Sequence, residues 1–157
     1  MEEKDINFTF DNNRFNFRVA CFITFNNSVL LVKNDNCDFY NLPGGRAKMN
    51  ESTLDAVKRE IQEELAIEIV NPKLFYIFEN FFNWIDKNVQ ELLFVYHIKL
   101  DKNSPLLHNN SFANKDNYEE NFYWVKFDEI KNIKCLPEII YNLPKMNFNQ
   151  IKHSINN

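Results

Sequence analysis

The sequence predicts a single α/β domain in which a mixed β-sheet packs against a central helix. Three observations predict this class. Segments rich in β-branched and aromatic residues lie on both sides of one helical segment, residues 52–65, that contains no Gly or Pro. The 157 residues suffice for one domain that buries about 70% of its unfolded surface. No repeat or linker divides the chain, so the predicted domain spans residues 1–157.

The first predicted element is a β-hairpin. Residues 15–25 are rich in β-formers and alternate imperfectly between polar and apolar side chains. Asn26 and Asn27 then form a pair that favours a tight turn, and residues 28–33 read as the returning strand.

The helix is predicted by the spacing of its apolar residues. These residues recur on one helical face: Leu54, Val57, Ile61 and Leu65. Ser52, followed three residues later by Asp55, resembles a capping box in which Asp replaces the usual Glu. The helix is therefore expected to begin at Ser52.

The second half of the chain predicts further strands and a short helix. In order, we expect a strand at 73–82, a polar turn at 86–88, a strand at 90–100, a polar loop at 101–118, a strand at 121–127 and a short helix within 136–146. The tail after Asn147 is expected to fray.

Charge and composition exclude several classes of function. The net charge is −4 and no dense block of Lys or Arg occurs, so no nucleic-acid partner is expected. No run of about 18 apolar residues predicts a membrane span, and the N-terminus lacks the apolar segment of a secretory signal. Cys21, Cys37 and Cys135 fit no metal-ligand spacing and predict reduced thiols in a cytoplasmic protein. The sequence is compatible with either a monomer or a homodimer.

Two features next to each other indicate chemistry. Gly44 and Gly45 are the only glycines in the chain, and glycine permits positive φ and close backbone approach. On the helix that follows, Glu60, Glu63 and Glu64 lie on one flank of the apolar stripe. Arg59 can pair with Glu63, but Glu60 and Glu64 lack a basic partner at helical spacing. One interpretation is a solvated acidic face; the other is a site for a hard divalent cation, which takes oxygen ligands.

The segment from Gly44 to Ile67 resembles the Nudix box of the Nudix hydrolases. That motif is a Gly, five residues, a Glu, seven residues, and then Arg-Glu-apolar-any-Glu-Glu-any-Gly-apolar. This chain matches it at Gly45, Glu51, Arg59, Glu60, Ile61, Glu63, Glu64 and Ile67. It departs once, because Ala66 stands where the family has Gly. The resemblance implies a Nudix-type α/β/α sandwich with a mixed central β-sheet.

The resemblance implies hydrolysis of a diphosphate linkage in a nucleoside diphosphate derivative. Glu60, Glu63 and Glu64, with the Gly45 carbonyl, would hold Mg²⁺, with Mn²⁺ as an alternative metal. Arg59 would orient the glutamates. Glu51 would either pair with Arg59 or act in the outer shell of the metal.

The general base and the substrate-binding residues are less specific predictions. A glutamate of the motif, Glu60 or Glu63, is one candidate base. Candidates for substrate binding, or for a base from outside the motif, are Arg46, Trp84, Glu91, Glu119 and Glu120.

Two kinds of small nucleotide are predicted as substrate, a nucleoside triphosphate or a nucleotide sugar. The alternative function is a Nudix module that binds nucleotides without cleaving them. Processing of RNA 5′ ends is disfavoured by the acidic net charge.

Overall fold

The computed structural model describes residues 4–156, which form one nine-stranded sheet with a single α-helix. The strands are β1 (Asn7–Phe10), β2 (Asn13–Phe25), β3 (Ser28–Asn34), β4 (Gly44–Arg46), β5 (Lys73–Trp84), β6 (Lys87–Lys99), β7 (Ser111–Ala113), β8 (Glu120–Lys126) and β9 (Lys152–Ile155). The helix α1 spans Thr53–Leu65. Short 3₁₀ helices lie at Pro105–Leu107, Ile130–Asn132, Glu138–Tyr141 and Leu143–Lys145. No helix in this part of the chain is long and apolar enough to cross a membrane.

The sheet is mixed, as predicted. Its order is β7-β8-β3-β2-β6-β5-β9, and β1 and β4 both pair with β2. The β2–β6 and β5–β9 pairs are parallel, whereas the other pairs are antiparallel. β2 and β3 pair only near their shared turn, and β4 lies against β2 further along, where Val19 pairs with Gly45. The glycine pair is thereby held against the middle of the sheet.

Alternate residues of β2 supply two cores. Val19, Cys21 and Ile23 pack on the face covered by α1. Ala20 and Phe22 pack on the opposite face, together with side chains of the last two 3₁₀ helices. The expected layers are therefore present, and the α/β class is confirmed. The second covering layer consists of 3₁₀ turns where a short helix was predicted.

The helix begins as its sequence predicts. Ser52 is its N-cap: the Ser52 hydroxyl accepts a hydrogen bond from the Asp55 N–H at 3.1 Å and donates one to the Asp55 carboxylate at 2.7 Å. The apolar stripe is shifted slightly, because Leu54 is exposed and Ala56 is buried in its place.

The helix ends at Ala66 in the left-handed conformation, with φ 54° and ψ 33°. This is the conformation that the Gly of the Nudix motif would adopt without strain, so Ala66 costs about 1 kcal/mol locally. The departure from the motif therefore affects the helix end and leaves the glutamates on their turn.

Three predictions of local structure were wrong. The segment after Asn147 is not frayed along its length, because β9 pairs with β5 from Tyr76–Lys152 to Glu79–Ile155. The loop at 101–118 contains a 3₁₀ helix and β7. The turn between β5 and β6 lies at Ile85–Asp86, one residue earlier than expected, with Ile85 at φ 56°.

Candidate active site

The two adjacent glycines are needed for different reasons. Gly44 has φ 141°, and a Cβ there would collide with the carbonyl of Val19 on β2. Gly45 has ordinary dihedral angles, but a Cβ there would overlap the carboxylate of Glu60. The first glycine therefore lets β4 fit against β2, and the second lets a helix carboxylate lie against the turn.

Arg59 is the centre of the acidic cluster. Its guanidinium donates to Glu51 at 2.7 and 3.0 Å, to Glu60 at 2.6 Å and to Glu63 at 3.1 Å. It also donates to the carbonyl of Arg46 at 2.9 Å, which ties the helix to the end of β4. These carboxylates raise the pKa of Arg59 further above its usual value. Arg59 therefore positions three carboxylates relative to the glycine turn.

Glu51 pairs with Arg59, one of the two roles predicted for it. The contact is bidentate, and Glu51 also accepts the Lys48 N–H at 3.0 Å. These contacts, chiefly the hydrogen bonds from Arg59, lower the pKa of Glu51. Its carboxylate oxygens are thus engaged in fixing the arginine.

Glu64 is a buried carboxylate without a close basic partner among residues 4–156. Its side chain accepts the Gly44 N–H at 3.0 Å and lies 3.5 Å from the Asn114 amide. Burial, and next the negative charge of Glu60, raise its pKa from about 4.5 to about 8. Burial is also the main cause that raises the pKa of Glu60, although Arg59 opposes it. The nearby basic side chains therefore do not fully compensate the negative charge of Glu60 and Glu64.

The fold brings only one of the two adjacent candidates Glu119 and Glu120 close to the acidic cluster. The NH₂ group of the buried Asn114 donates to Glu120 at 2.9 Å and lies 3.5 Å from Glu64. The charge of Glu120 also raises the pKa of Glu64, so Glu120 belongs to the cluster. The neighbouring Glu119 is exposed and makes no side-chain contact with it. Sequence analysis missed Asn114, which nothing distinguishes within an Asn-rich loop.

A cavity of about 1320 Å³ extends from the acidic cluster across the opposite face of the sheet. Gly45 and Glu60 line one end, and Arg46 lies beside them in an ion pair of 3.5 Å with Asp5. Trp84 lines the far end, where it meets Phe39 edge-to-face with ring centroids 6.2 Å apart. The volume is sufficient for a nucleotide.

Polar residues of the middle strands also line this cavity. Arg18 forms an ion pair of 3.8 Å with the buried Glu91, a predicted candidate. Its charge also favours the ionised forms of Glu60 and Glu64. Sequence analysis did not single out Arg18. The available signal was the alternation of Arg14, Asn16 and Arg18 in a strand that is otherwise apolar.

The cluster fits a hard divalent cation by its chemistry. Within residues 4–156, no three acidic, His or Cys side chains already surround a single point, because Arg59 holds Glu60 and Glu63. However, Glu60 and Glu64 both have raised pKa values, and the absence of a Cβ at Gly45 lets the Glu60 carboxylate lie against the glycine turn. Carboxylate oxygens with uncompensated charge are the ligands that Mg²⁺ and Mn²⁺ prefer.

Comparison with known proteins identifies the family and the fold. The chain matches the NUDIX domain over residues 14–143. An uncharacterised Nudix hydrolase, YvcI of Bacillus subtilis, is 36% identical over 58 residues; the match covers 37% of this chain and 37% of that protein, little more than a third of its length. The mutator MutT protein of Bacillus halodurans superimposes with a TM-score of 0.66 at 24% identity, covering 89% of this chain and 88% of that one. A MutT protein of Methanosarcina mazei gives 0.57 at 23% identity, covering 87% and 94%.

The fold and the motif thus define a Nudix-type α/β protein. The chain belongs to the Nudix hydrolase family. The proteins of this family act in general on small nucleotides and use divalent metal ions.

Proposed function

We propose that this protein is a Mg²⁺-dependent pyrophosphohydrolase that cleaves the diphosphate linkage of a small nucleoside diphosphate derivative. A single observation carries the proposal: Glu60, which lines a nucleotide-sized cavity, and Glu64, which accepts the Gly44 N–H, both lie at the glycine turn with raised pKa values. Burying two neighbouring carboxylates destabilises a fold unless a cation neutralises their charge.

The metal would be held by Glu60, Glu63, Glu64 and the Gly45 carbonyl. Mg²⁺ at these oxygens supplies charge neutralisation for the phosphates and makes a water molecule more acidic, and Mn²⁺ can do the same. This explains how a chain with a net charge of −4 can bind a polyanion.

The remaining roles belong to the chain's own side chains. Glu60 is the proposed proton acceptor, because its carboxylate lies at the cavity wall beside the glycine turn. Arg59, fixed by Glu51, would keep the Glu60 carboxylate in one orientation. Glu63 is 41% exposed and would act as a ligand on the solvent side. Glu120 would act through Asn114 on Glu64.

The cavity supports a substrate with phosphates at one end and a base at the other. Arg46 and Arg18, which pair across β4 and β2, place positive charge next to the acidic end and would contact phosphate oxygens. Trp84 is 45% exposed beside Phe39 and offers a ring face to a base. Nucleoside triphosphates and nucleotide sugars both meet this description. The exposed Glu119 has no proposed role.

The proposal is tested by measuring phosphate, pyrophosphate and nucleotide release from a panel of GTP, ATP, UDP-glucose and ADP-ribose. Each compound is assayed with Mg²⁺, with Mn²⁺ and with EDTA. We expect turnover of at least one triphosphate or nucleotide sugar with metal, and none with EDTA. Glu129→Gln, which changes an exposed carboxylate far from the cluster in sequence, is the control and should retain full activity.

Two results would contradict the proposal. Turnover that persists in EDTA would remove the metal role. Nucleotide binding without turnover under every metal condition would favour the non-catalytic binding module. The same proposal includes a cytoplasmic location and one catalytic domain in each chain. Measuring the mass in solution distinguishes a monomer from a homodimer.

A further inference from the structure

Four polar side chains form a row across the floor of the cavity. Asn16 on β2 lies opposite Glu91 on β6, and Glu91 lies opposite Asn80 on β5. Directly opposed residues in a sheet face the same side. Asn156 follows β9 and extends the row beyond β5. All four line the cavity, and the first three are at most 8% exposed. We call Asn16, Glu91, Asn80 and Asn156 the polar row.

Asn156 determines the direction of the hydrogen bonds in the polar row. The Asn156 amide donates to the Asn80 side-chain oxygen at 2.7 Å. The Asn80 NH₂ group must then point toward Glu91, which it approaches to 3.5 Å. This orientation is the only one in which the acceptor-only carboxylate meets a donor. Asn156 is itself held, because its side-chain oxygen accepts the Phe81 N–H at 2.6 Å and its backbone N–H donates to the backbone carbonyl of Glu79 at 3.1 Å.

The polar row has more acceptors than donors. Glu91 is 4% exposed, yet its contacts are the long ones to Asn80 at 3.5 Å and to Arg18 at 3.8 Å. The side-chain oxygen of Asn16 is buried and has no hydrogen-bond partner within the described residues. Buried polar atoms are nearly always satisfied, so the weakly paired acceptors of the polar row indicate a ligand that brings donors to it. Arg14 and Arg46 line the same cavity, and their Nε atoms, unpaired in the part of the chain described, indicate that the ligand also carries acceptors, as phosphates do.

We propose that the polar row selects a nucleobase whose edge carries two adjacent N–H donors, as the Watson–Crick edge of guanine does. The inference rests on the proposed function for the position of the phosphates at the opposite end of the cavity. Glu91 accepts from the ring N–H and the exocyclic NH₂ together, and Asn16 lies beside it on β2. Trp84 and Phe39 lie at the same end of the cavity and contact the ring face.

Other bases satisfy the polar row less well. Hypoxanthine keeps the ring N–H but lacks the exocyclic amine, so one donor is lost. Adenine has an amine but places a ring acceptor next to it, which would face the Glu91 carboxylate. A site built to accept from a donor discriminates strongly against the analogue that lacks it, because its buried acceptor is then left unpaired.

β9 has a defined part in this selection. It lies after residue 143, outside the segment that matches the family domain, and adds a parallel strand beside β5. Through Asn156 it fixes the Asn80 amide with its NH₂ group toward Glu91. Asn156 is therefore a positioning residue that acts through Asn80.

The first test measures binding without turnover. GMP, IMP and AMP are titrated into the protein in EDTA by calorimetry, so that the result does not depend on catalysis. We expect GMP to bind about tenfold more tightly than IMP, and AMP to bind most weakly. In Glu91→Gln the ratio of IMP to GMP dissociation constants should fall toward one, whereas Glu129→Gln should keep the wild-type ratio.

Equal dissociation constants for GMP and IMP in the wild-type protein would overturn the proposal, even if Glu91→Gln failed to fold. An unchanged ratio in folded Glu91→Gln would overturn it as well. If the hydrolysis panel fails while GMP is still preferred over IMP, the proposed catalysis is wrong and the selection by the polar row stands.

The second test isolates Asn156. Asn156→Asp keeps the acceptor for the Phe81 N–H but removes the donor to Asn80, so the Asn80 amide is free to turn its oxygen toward Glu91. We expect the preference for GMP over IMP to fall severalfold, while the thermal midpoint changes little. With GTP as substrate, KM should rise and kcat should stay close to wild type. A changed kcat with unchanged KM and unchanged base preference would contradict the positioning role.

Discussion

The two ends of the cavity are built in opposite ways. The acidic end takes most of its side chains from one helix, α1, and places them against the adjacent glycine turn. The polar row takes one side chain from each of four segments that are far apart in sequence. The first end has a deficit of positive charge, and the second has a deficit of hydrogen-bond donors.

This difference separates two kinds of recognition. An uncompensated carboxylate cluster attracts any hard cation, because Coulomb attraction acts over several ångströms and tolerates small displacements. A row of hydrogen-bond acceptors recognises direction and distance, because such bonds weaken steeply with poor geometry. We therefore expect changes at the acidic end to affect turnover and changes at the polar row to affect the choice of base.

The largest expected effect is that of Glu64→Gln. The substitution keeps the shape of the side chain and removes the negative charge, so turnover should fall on the order of a thousandfold, since a bound metal contributes several kcal/mol to the transition state. GMP binding in EDTA should stay unchanged, because Glu64 is not in the polar row. Both are measured beside Glu68→Gln, an exposed control just after the helix. Full activity in Glu64→Gln would remove the metal role of this residue.

A smaller effect on turnover is expected for Gly45→Ala. The added Cβ would displace the Glu60 carboxylate, so activity should fall by about 10- to 100-fold, as for residues that orient metal ligands. Gly44→Ala is the matched comparison. There the Cβ meets backbone at φ 141°, so the main result should be a loss of stability, on the order of 1–3 kcal/mol. Equal losses of stability in the two variants, measured by urea unfolding, would contradict these separate roles.

The last prediction concerns stability and not turnover, namely its pH dependence without metal. The folded protein keeps the Glu64 proton up to about pH 8, whereas in the unfolded chain the carboxyl ionises near 4.5. Because the folded state binds more protons in this range, the stability contributed below pH 4.5 is lost as pH rises toward 8. The slope is at most about 1.4 kcal/mol per pH unit for one proton.

Urea unfolding in EDTA at pH 5, 6.5 and 8 measures this loss as the difference between wild type and Glu64→Gln. Taking the difference cancels the contribution of His97 to the pH dependence. Burial lowers the pKa of His97 to about 4, so His97 destabilises the fold as pH falls below 6.5. Mg²⁺ should flatten the wild-type slope, because the cation binds the ionised carboxylates. A slope that is equal in the two proteins would show that Glu64 is not buried in its protonated form.

Sequence analysis was most successful where the information is local. Ser52 caps the helix, and the Asn26-Asn27 turn joins β2 to β3. Each depends on residues within a few positions of one another. The pairing of Arg59 with Glu63 was predicted from spacing, and its pairing with Glu51 was one of two roles implied by the family resemblance; the structure adds Glu60.

The predictions were wrong where the local structure depends on contacts with residues that are distant in the sequence. β9 exists because β5 offers it a free edge, which a local interpretation of the polar tail could not include. Glu119 and Glu120 are adjacent in sequence, but only Glu120 reaches the cluster, because the buried Asn114 joins it to Glu64.

By itself, the sequence determined the family, the mixed α/β class and the acidic end, since a helix with 3.6 residues per turn places Glu60, Glu63 and Glu64 on one flank wherever it folds. Only the tertiary structure decided that Gly45 lies against Glu60, and that Asn16, Glu91, Asn80 and Asn156 share one floor. Strand order and register bring those residues together, and both are set by the packing of the whole sheet.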